Sequence, residues 1–137
     1  MPRPPKLNKR ERGFFTIAQN NGQTDYVRLA YLLALNLKLT QKEVSHLSIG
    51  VTPGTVVPDG MAWAFDNIIE IPWHDDAAKQ EWKLLNEWKS IYMSPYEETV
   101  KLDADMLFLN DISIWWKMMA LEEFVICNKV IDYRSEE

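Results

Sequence analysis

"FFTIAQNNGQTDYVRLAYLLALNLKL", residues 14–39, decides the fold class. It opens on a continuous apolar run, 14–19, that stops at the polar stretch "NNGQT". A short unbroken apolar run bounded by turn residues reads as a strand buried on both faces. Thr24 or Asp25 can then cap a helix. Behind them Val27, Ala30, Tyr31, Ala34 and Leu35 recur at helical spacing, with other leucines on the flanking faces. A helix apolar on most sides packs against a sheet rather than lying on a surface.

The same alternation continues along the chain. "EVSHLSIGVT", 43–52, reads as a second strand, broken by the Pro- and Gly-rich "PGTVVPDG". "MAWAF" is a short helical turn, and "NIIEIPW", 67–73, is a third strand ended by Pro72. "DDAAKQEWKLLNEWKSIYM", 75–93, starts with acids and spaces Trp82, Leu85 and Trp88 as a helix does. "SPYEETVKLDADMLFL" holds a turn and a fourth strand. "DISIWWKMMALEE" reads as a helix with Asp111 at its N-cap, and "FVICNKVIDY", 124–133, as a last strand. Strands alternating with helices imply an α/β domain whose sheet is mainly parallel and flanked by helices. Residues 1–12, with three prolines and five basic side chains, read as a flexible arm, and 13–137 as one compact domain.

Composition narrows the function classes. A net charge of −5 and a pI near 5.1 argue against non-specific binding of duplex nucleic acid, which needs a basic face. The longest apolar run falls short of the ~20 residues of a membrane span. Cys127 is the sole cysteine, so no intrachain disulfide forms, and the start of the chain has no signal-peptide core. Both point to a cytoplasmic setting. Six tryptophans in so short a chain invite a homodimer.

Ligands of parallel α/β sheets bind outside the carboxyl ends of the strands. Two polar stretches fall at such ends: 20–23 after the first strand, and Asp103-Ala104-Asp105 after "TVKL". If the backbone stays extended, side chains two apart share a face, so Asp103 and Asp105 point together. Two close carboxylates repel unless a cation joins them, and hard oxygen ligands suit Mg²⁺ or Mn²⁺. Such a cation keeps one or two carboxylates and takes the rest from phosphate. A solvated turn is the plain alternative for an Asp-x-Asp on its own. A hydrolytic acid–base pair lacks a partner that would activate a nucleophile.

"SPYEETVKLDADMLFLNDISIWW", 94–116, resembles the central segment of retaining nucleotide-sugar glycosyltransferases of the glycogenin and galactinol-synthase kind. Their pattern is an aromatic turn, an apolar strand, L-D-A-D and a second apolar stretch. "FFTIAQNN…DYVRLAYLLALNLK" is similar to that family's first strand, nucleotide loop and helix, and "LSIGVTPGTV…FDNIIEIPW" to its second and third strands.

The resemblance implies a single-domain, Rossmann-like GT-A fold in a minimal, bacteriophage-type version. It implies transfer of a hexosyl group from a UDP-sugar, UDP-glucose or UDP-galactose, with retention, Mn²⁺ or Mg²⁺ as cofactor, and slow donor hydrolysis when no acceptor is held. Asp103 and Asp105 match the metal-binding and ribose-binding acids, with Ala104 the small residue between them. Ile17, Ala18, Gln19 and Asn20 match the stretch that cradles the base, and Tyr26 the tyrosine packed on uracil. Lys89 or Lys83 matches a cationic side chain upstream of the acids that steadies phosphate or sugar.

The stretch after Asp105 holds no His, the family's third metal ligand. Substitutes are His74, at a strand end, or a C-terminal acid such as Asp132 or Glu136. Trp73 is a candidate to stack on sugar or base, whereas Trp115 and Trp116 read as sheet-packing residues. The second reading is a non-catalytic nucleotide-sugar-binding or regulatory subunit without an acceptor site of its own.

Overall fold

The structure, a computed structural model, describes residues 7–79 and 83–122. The expected last strand over 124–133, with Cys127, Asp132 and Glu136, lies outside the described residues, as does Trp82.

Four strands form one parallel sheet in the order β3-β2-β1-β4: β1 Arg10–Ile17, β2 Leu47–Val51, β3 Ile68–Glu70 and β4 Tyr96–Lys101. β1 is central. It pairs with β2 from Phe14↔Leu47 to Ile17↔Gly50, and with β4 from Arg10↔Tyr96 to Phe15↔Lys101. Its unbroken apolar run follows from this position, since both of its faces are covered. Phe14 points into the larger core with Leu47, Ile49, Val51 and helix α1, Tyr26–Thr40. Phe15 and Ile17 point the other way, against Ile71 and Met93.

α1 buries Val27, Ala30, Leu33, Ala34 and Leu37. Removing the three larger side chains from water is worth up to about 5–9 kcal/mol before chain entropy is counted. Of the two candidate caps, Asp25 is the one used. Its carboxylate accepts the Arg28 N–H at 3.0 Å. The first helix and the short α2, Asp59–Ala62, lie on one face, where Tyr31 meets Trp63 edge-on. The return from β3 to β4 passes over the opposite face through Met93. The chain therefore winds outward from β1 to β3 and then crosses back beyond β1. That reversal places a topological switch point between the carboxyl ends of β1 and β4.

Several expectations are corrected. β1 starts at Arg10, so the inner end of the expected arm is strand. Arg10 Nε sits 3.1 Å from an Asp66 carboxylate oxygen, Arg12 Nε 2.7 Å from Glu98, and the Asn8 N–H donates to Asn67 Oδ1 at 2.7 Å.

The described parts of the helix expected over 75–93, residues 75–79 and 83–93, are instead turns, a 3₁₀ turn Glu87–Lys89 and a four-residue helix α3, Ser90–Met93. Lys83, Asn86 and Lys89 bond back to the backbone of residues 72–78, an alternative that competes with helical bonding.

β4 ends at Lys101, and "MLFL" is not strand. Two side-chain amides, Asn36 on α1 and Gln41 at its C-cap, take over the bonding there and just beyond. Asn36 both donates to the Phe108 carbonyl (2.9 Å) and accepts its N–H (2.7 Å), while Gln41 does the same for Asn110 O (3.0 Å) and Ile112 N–H (2.9 Å).

Asp111 does not cap the last helix, α4 Ile114–Met119; Ser113 precedes it without a side-chain cap bond. Asp111 instead accepts the Lys42 N–H and the Ser113 hydroxyl, which hold its carboxyl below the usual range, the hydroxyl most of all. Trp116 is core, edge-on to Phe14, while Trp115 packs on Phe108 and stays partly exposed. Met118 is largely exposed.

Candidate functional site

The carboxyl end of β1 runs into Ala18, Gln19 and Asn20. Ile17 and Ala18 are core residues on opposite faces. Gln19 is buried and joins three segments. Its Nε2 donates to Thr52 Oγ1 (3.0 Å) just past β2 and to Asp75 Oδ1 (3.3 Å), and its Oε1 accepts from Asn86 Nδ2 (2.9 Å). Asn86 Nδ2 also donates to Asp75 Oδ1 at 2.7 Å, and the Ala77 N–H donates to the same oxygen at 3.0 Å. Burial pushes the Asp75 carboxyl up, but these donors and Lys83 together outweigh it, and the group rests below the usual carboxylate range.

Asn20 is exposed, and its Oδ1 accepts the Val27 N–H (3.2 Å) at the start of α1. Asn21 Oδ1 accepts from Gln23 and Thr24, and Gly22 supplies the left-handed φ of +85° that this tight loop requires. The loop that the resemblance assigns to the base is thus wound on its own side chains. Tyr26, at the first turn of α1, is half-buried against the core.

At the end of β4, Leu102 and Ala104 are buried while Asp103 and Asp105 are exposed. The backbone is not extended here. It turns at Ala104–Asp105, with the Met106 N–H donating to the Asp103 carbonyl at 3.3 Å. The strand alternation expected to align the two acids therefore does not operate. What presents them is Ala104, whose small side chain is tucked into the core between them. Asp103, with a side chain 72% exposed, has Lys101 Nζ 3.6 Å from Oδ1, and Lys101 also pairs with Glu87 at 2.5 Å. Lys101 is the cation beside Asp103, and sequence reading missed it. Its signal was position: two residues before Asp103, on a strand, hence on one side of the ribbon.

The two lysines expected to serve that role are committed elsewhere. Lys83 Nζ donates to the Ala77 and Ala78 carbonyls, both at 2.9 Å. Lys89, only 1% exposed, donates to the carbonyls of Pro72 (3.3 Å) and His74 (2.6 Å) and lies 3.3 Å from Asp76 Oδ2. His74 pairs through Nε2 with Asp76 Oδ1 at 2.7 Å, not with the β4 acids. A shallow recess lined by Leu7, Asn8, Lys9 and Arg10 lies at the opposite, amino end of β1.

Among the described residues no three His, Cys, Asp or Glu side chains converge as a metal cage. Asp103 and Asp105 are two hard carboxylates open to solvent. That donor set suits a Mg²⁺-like ion completed by water and phosphate, and does not suit an all-protein site. No helix among the described residues is long and apolar enough to cross a membrane. Compared with known proteins, the chain matches no family model and no curated protein.

Proposed function

We propose that the chain is a GT-A-type nucleotide-sugar domain that transfers a hexosyl group from UDP-glucose or UDP-galactose, with Mn²⁺ or Mg²⁺ held by Asp103 and Asp105. The observation that carries the reading is positional. The residues matching the family's two signatures, 17–20 and 103–105, occupy the two sides of the switch point in an all-parallel 3-2-1-4 sheet. This is where a sheet of this winding binds a nucleotide.

In this reading the backbone after Ile17 borders the base, and the Gln19–Asp75–Asn86 bonds keep that border fixed during turnover. Asp103 and Asp105 would hold the cation, which when bound would supply Lewis-acid neutralisation of the diphosphate leaving group. Lys101 offsets the repulsion between the two carboxylates and the diphosphate before the site is filled. An acceptor hydroxyl forms the new bond to the anomeric carbon. The bond from that carbon to the β-phosphate oxygen breaks, its electron pair leaves with UDP, and the hydroxyl proton passes to solvent. Water in place of the acceptor gives donor hydrolysis.

Calorimetry with UDP, with and without Mn²⁺, tests the donor site. Metal-dependent binding that is lost in Asp103→Asn supports the reading, and equal weak binding of unrelated nucleotides removes it. One observation favours the second reading, a binding subunit without chemistry: both candidate lysines are tied to backbone carbonyls. Binding of UDP-glucose without release of UDP over hours would select it.

A further inference from the structure

Trp73 has a φ of +67°, the sole non-glycine residue in the left-handed region among those described. For a bulky side chain this is a strained conformation, and such strain persists where the surroundings impose it. Lys89 imposes it. This buried lysine donates to the carbonyls on either side of Trp73, those of Pro72 and His74. Yet the ring so held is not packed inside. Trp73 is 64% exposed, stacked at 5.7 Å and 10° on Trp88 (52% exposed), and Tyr92 (68% exposed) meets both rings edge-on at 5.7 and 6.0 Å. A strained backbone and a buried charge thus hold an aromatic platform in solvent, an arrangement that core packing does not require.

We infer that Trp73, Trp88 and Tyr92 form a stacking subsite for an uncharged pyranose of a saccharide acceptor; as an acceptor subsite this rests on the glycosyltransferase reading above. Three features favour that ligand. A pyranose has an apolar C–H face to lay on a ring and a hydroxyl rim. The platform supplies both counterparts: exposed rings, and two indole N–H groups and a phenol on the same exposed residues. The local charges are already matched, since Lys89 lies against Asp76 and Lys83 is taken up by two carbonyls. With Lys83 and Lys89 both taken up in this way, a neutral ligand fits the rings better than a nucleotide. A relay of ion pairs runs from the segment that carries Trp88 towards the donor acids: Glu87, the preceding residue, pairs with Lys101, which lies 3.6 Å from Asp103.

The test is titration of the full chain with maltotetraose, cellotetraose and a galacto-oligosaccharide, followed by tryptophan fluorescence and by the amide NMR signals of residues 73, 88 and 92. At least one saccharide should bind in the millimolar range, weakened about tenfold or more in Trp88→Ala and Trp73→Gly, as loss of one stacked ring implies. UDP binding with Mn²⁺ should stay unchanged in both. Trp73→Gly separates this from a structural role, because glycine accepts φ +67° without strain. The variant should melt no lower than wild type while losing the saccharide. Lower melting with saccharide binding retained overturns the inference. So does UDP–Mn²⁺ binding with no saccharide response, which leaves the donor reading standing. Saccharide binding without UDP–Mn²⁺ binding removes the donor reading and keeps the subsite. Uridine shifting these amides where the saccharides do not, or a dimer that Trp88→Ala turns into a monomer without any saccharide effect, also overturns it.

Discussion

The two ends of the parallel sheet carry similar side chains and treat them in opposite ways. At the amino end an aspartate is closed in. Asp66 accepts from Arg10 and from the Tyr96 hydroxyl (2.9 Å), Ser48 sits 2.7 Å from the same hydroxyl, and Asn67 Nδ2 donates to Ser48 Oγ and to the Asn8 carbonyl. At the carboxyl end of β4, Asp103 and Asp105 stand in solvent with one lysine near one of them. Acidic residues as such therefore point to nothing. A group whose partners are all internal holds the fold together, and a group presented without them is available to a ligand.

If that contrast holds, damage at the amino end costs stability and damage at the carboxyl acids costs only binding. The largest effect is expected at Gly13. The Tyr96 ring lies directly over it, and its hydroxyl is pinned by Ser48 and Asp66, so a Cβ there displaces an anchored ring. Gly13→Ala should lower stability by about 3 kcal/mol or more, read from the urea midpoint at constant slope. An unchanged midpoint would mean that the network yields easily and the contrast is overstated.

Next in size is Lys89→Met, which sharpens the boundary within the carboxyl end itself. Removing a buried ammonium strips the Pro72 and His74 carbonyls of their donor and leaves Asp76 with His74 but without its lysine; the expected loss is about 2–4 kcal/mol. It should also disturb the Trp73–Trp88 stack in near-ultraviolet circular dichroism. A variant as stable as wild type would return Lys89 to the list of ligand-binding cations.

These positions also mark where sequence reading stopped. The β-loop-α unit over 14–39 was legible because every level agreed: an apolar run, turn residues, a cap and a helical period. The parallel α/β class followed from it. The start of β1 was not legible, because Arg10 and Arg12 look like arm residues until Asp66 and Glu98, far along the chain, are placed beside them. The region 75–93 has helical spacing, but Lys83 and Lys89 reach back to carbonyls of residues 72–78, and the helical period does not encode that. "MLFL" is apolar enough to read as strand, but the backbone of Phe108 is bonded by the side-chain amide of Asn36 on α1, seventy-two residues earlier, and no local pattern encodes that partner. At the site, the polar stretches 20–23 and 103–105 were legible as lying at strand ends; that the two strands are neighbours is shown by the sheet order. The lysines were misassigned because spacing tells which residues share a face, not which partner takes the charge.

The acids should separate function from stability most cleanly. Asp103→Asn and Asp105→Asn, both at exposed positions, should shift stability by no more than about 0.5 kcal/mol. UDP affinity in Mn²⁺ should fall by about tenfold or more in each, seen by calorimetry. If either variant unfolds, the acids belong with Asp66 as structural groups and the contrast between the sheet ends fails.

The smallest effects are expected in the pH dependence, where the two ends should act on opposite limbs. Burial, with the Asp66 carboxylate adding to it, raises the Tyr96 hydroxyl well above its ordinary value. A group whose folded pKa is raised contributes fully below the unfolded value, near 10, and that contribution is lost as pH climbs past it. The amino end thus weakens in alkali, and Tyr96→Phe should flatten the loss above about pH 10. Asp75 behaves the other way. Its folded value is depressed by Asn86, Gln19, the Ala77 N–H and Lys83 against the opposing pull of burial. Its contribution is present above the unfolded value, near 4, and disappears as pH falls through the lower folded one. Asp75→Asn should therefore narrow the acid limb below about pH 4 and leave the alkaline limb untouched. Chemical denaturation of the two variants across pH would show it. If both variants changed the same limb, the two ends would not be electrostatically independent, and the closed network at one end would have to be coupled to the open rim at the other.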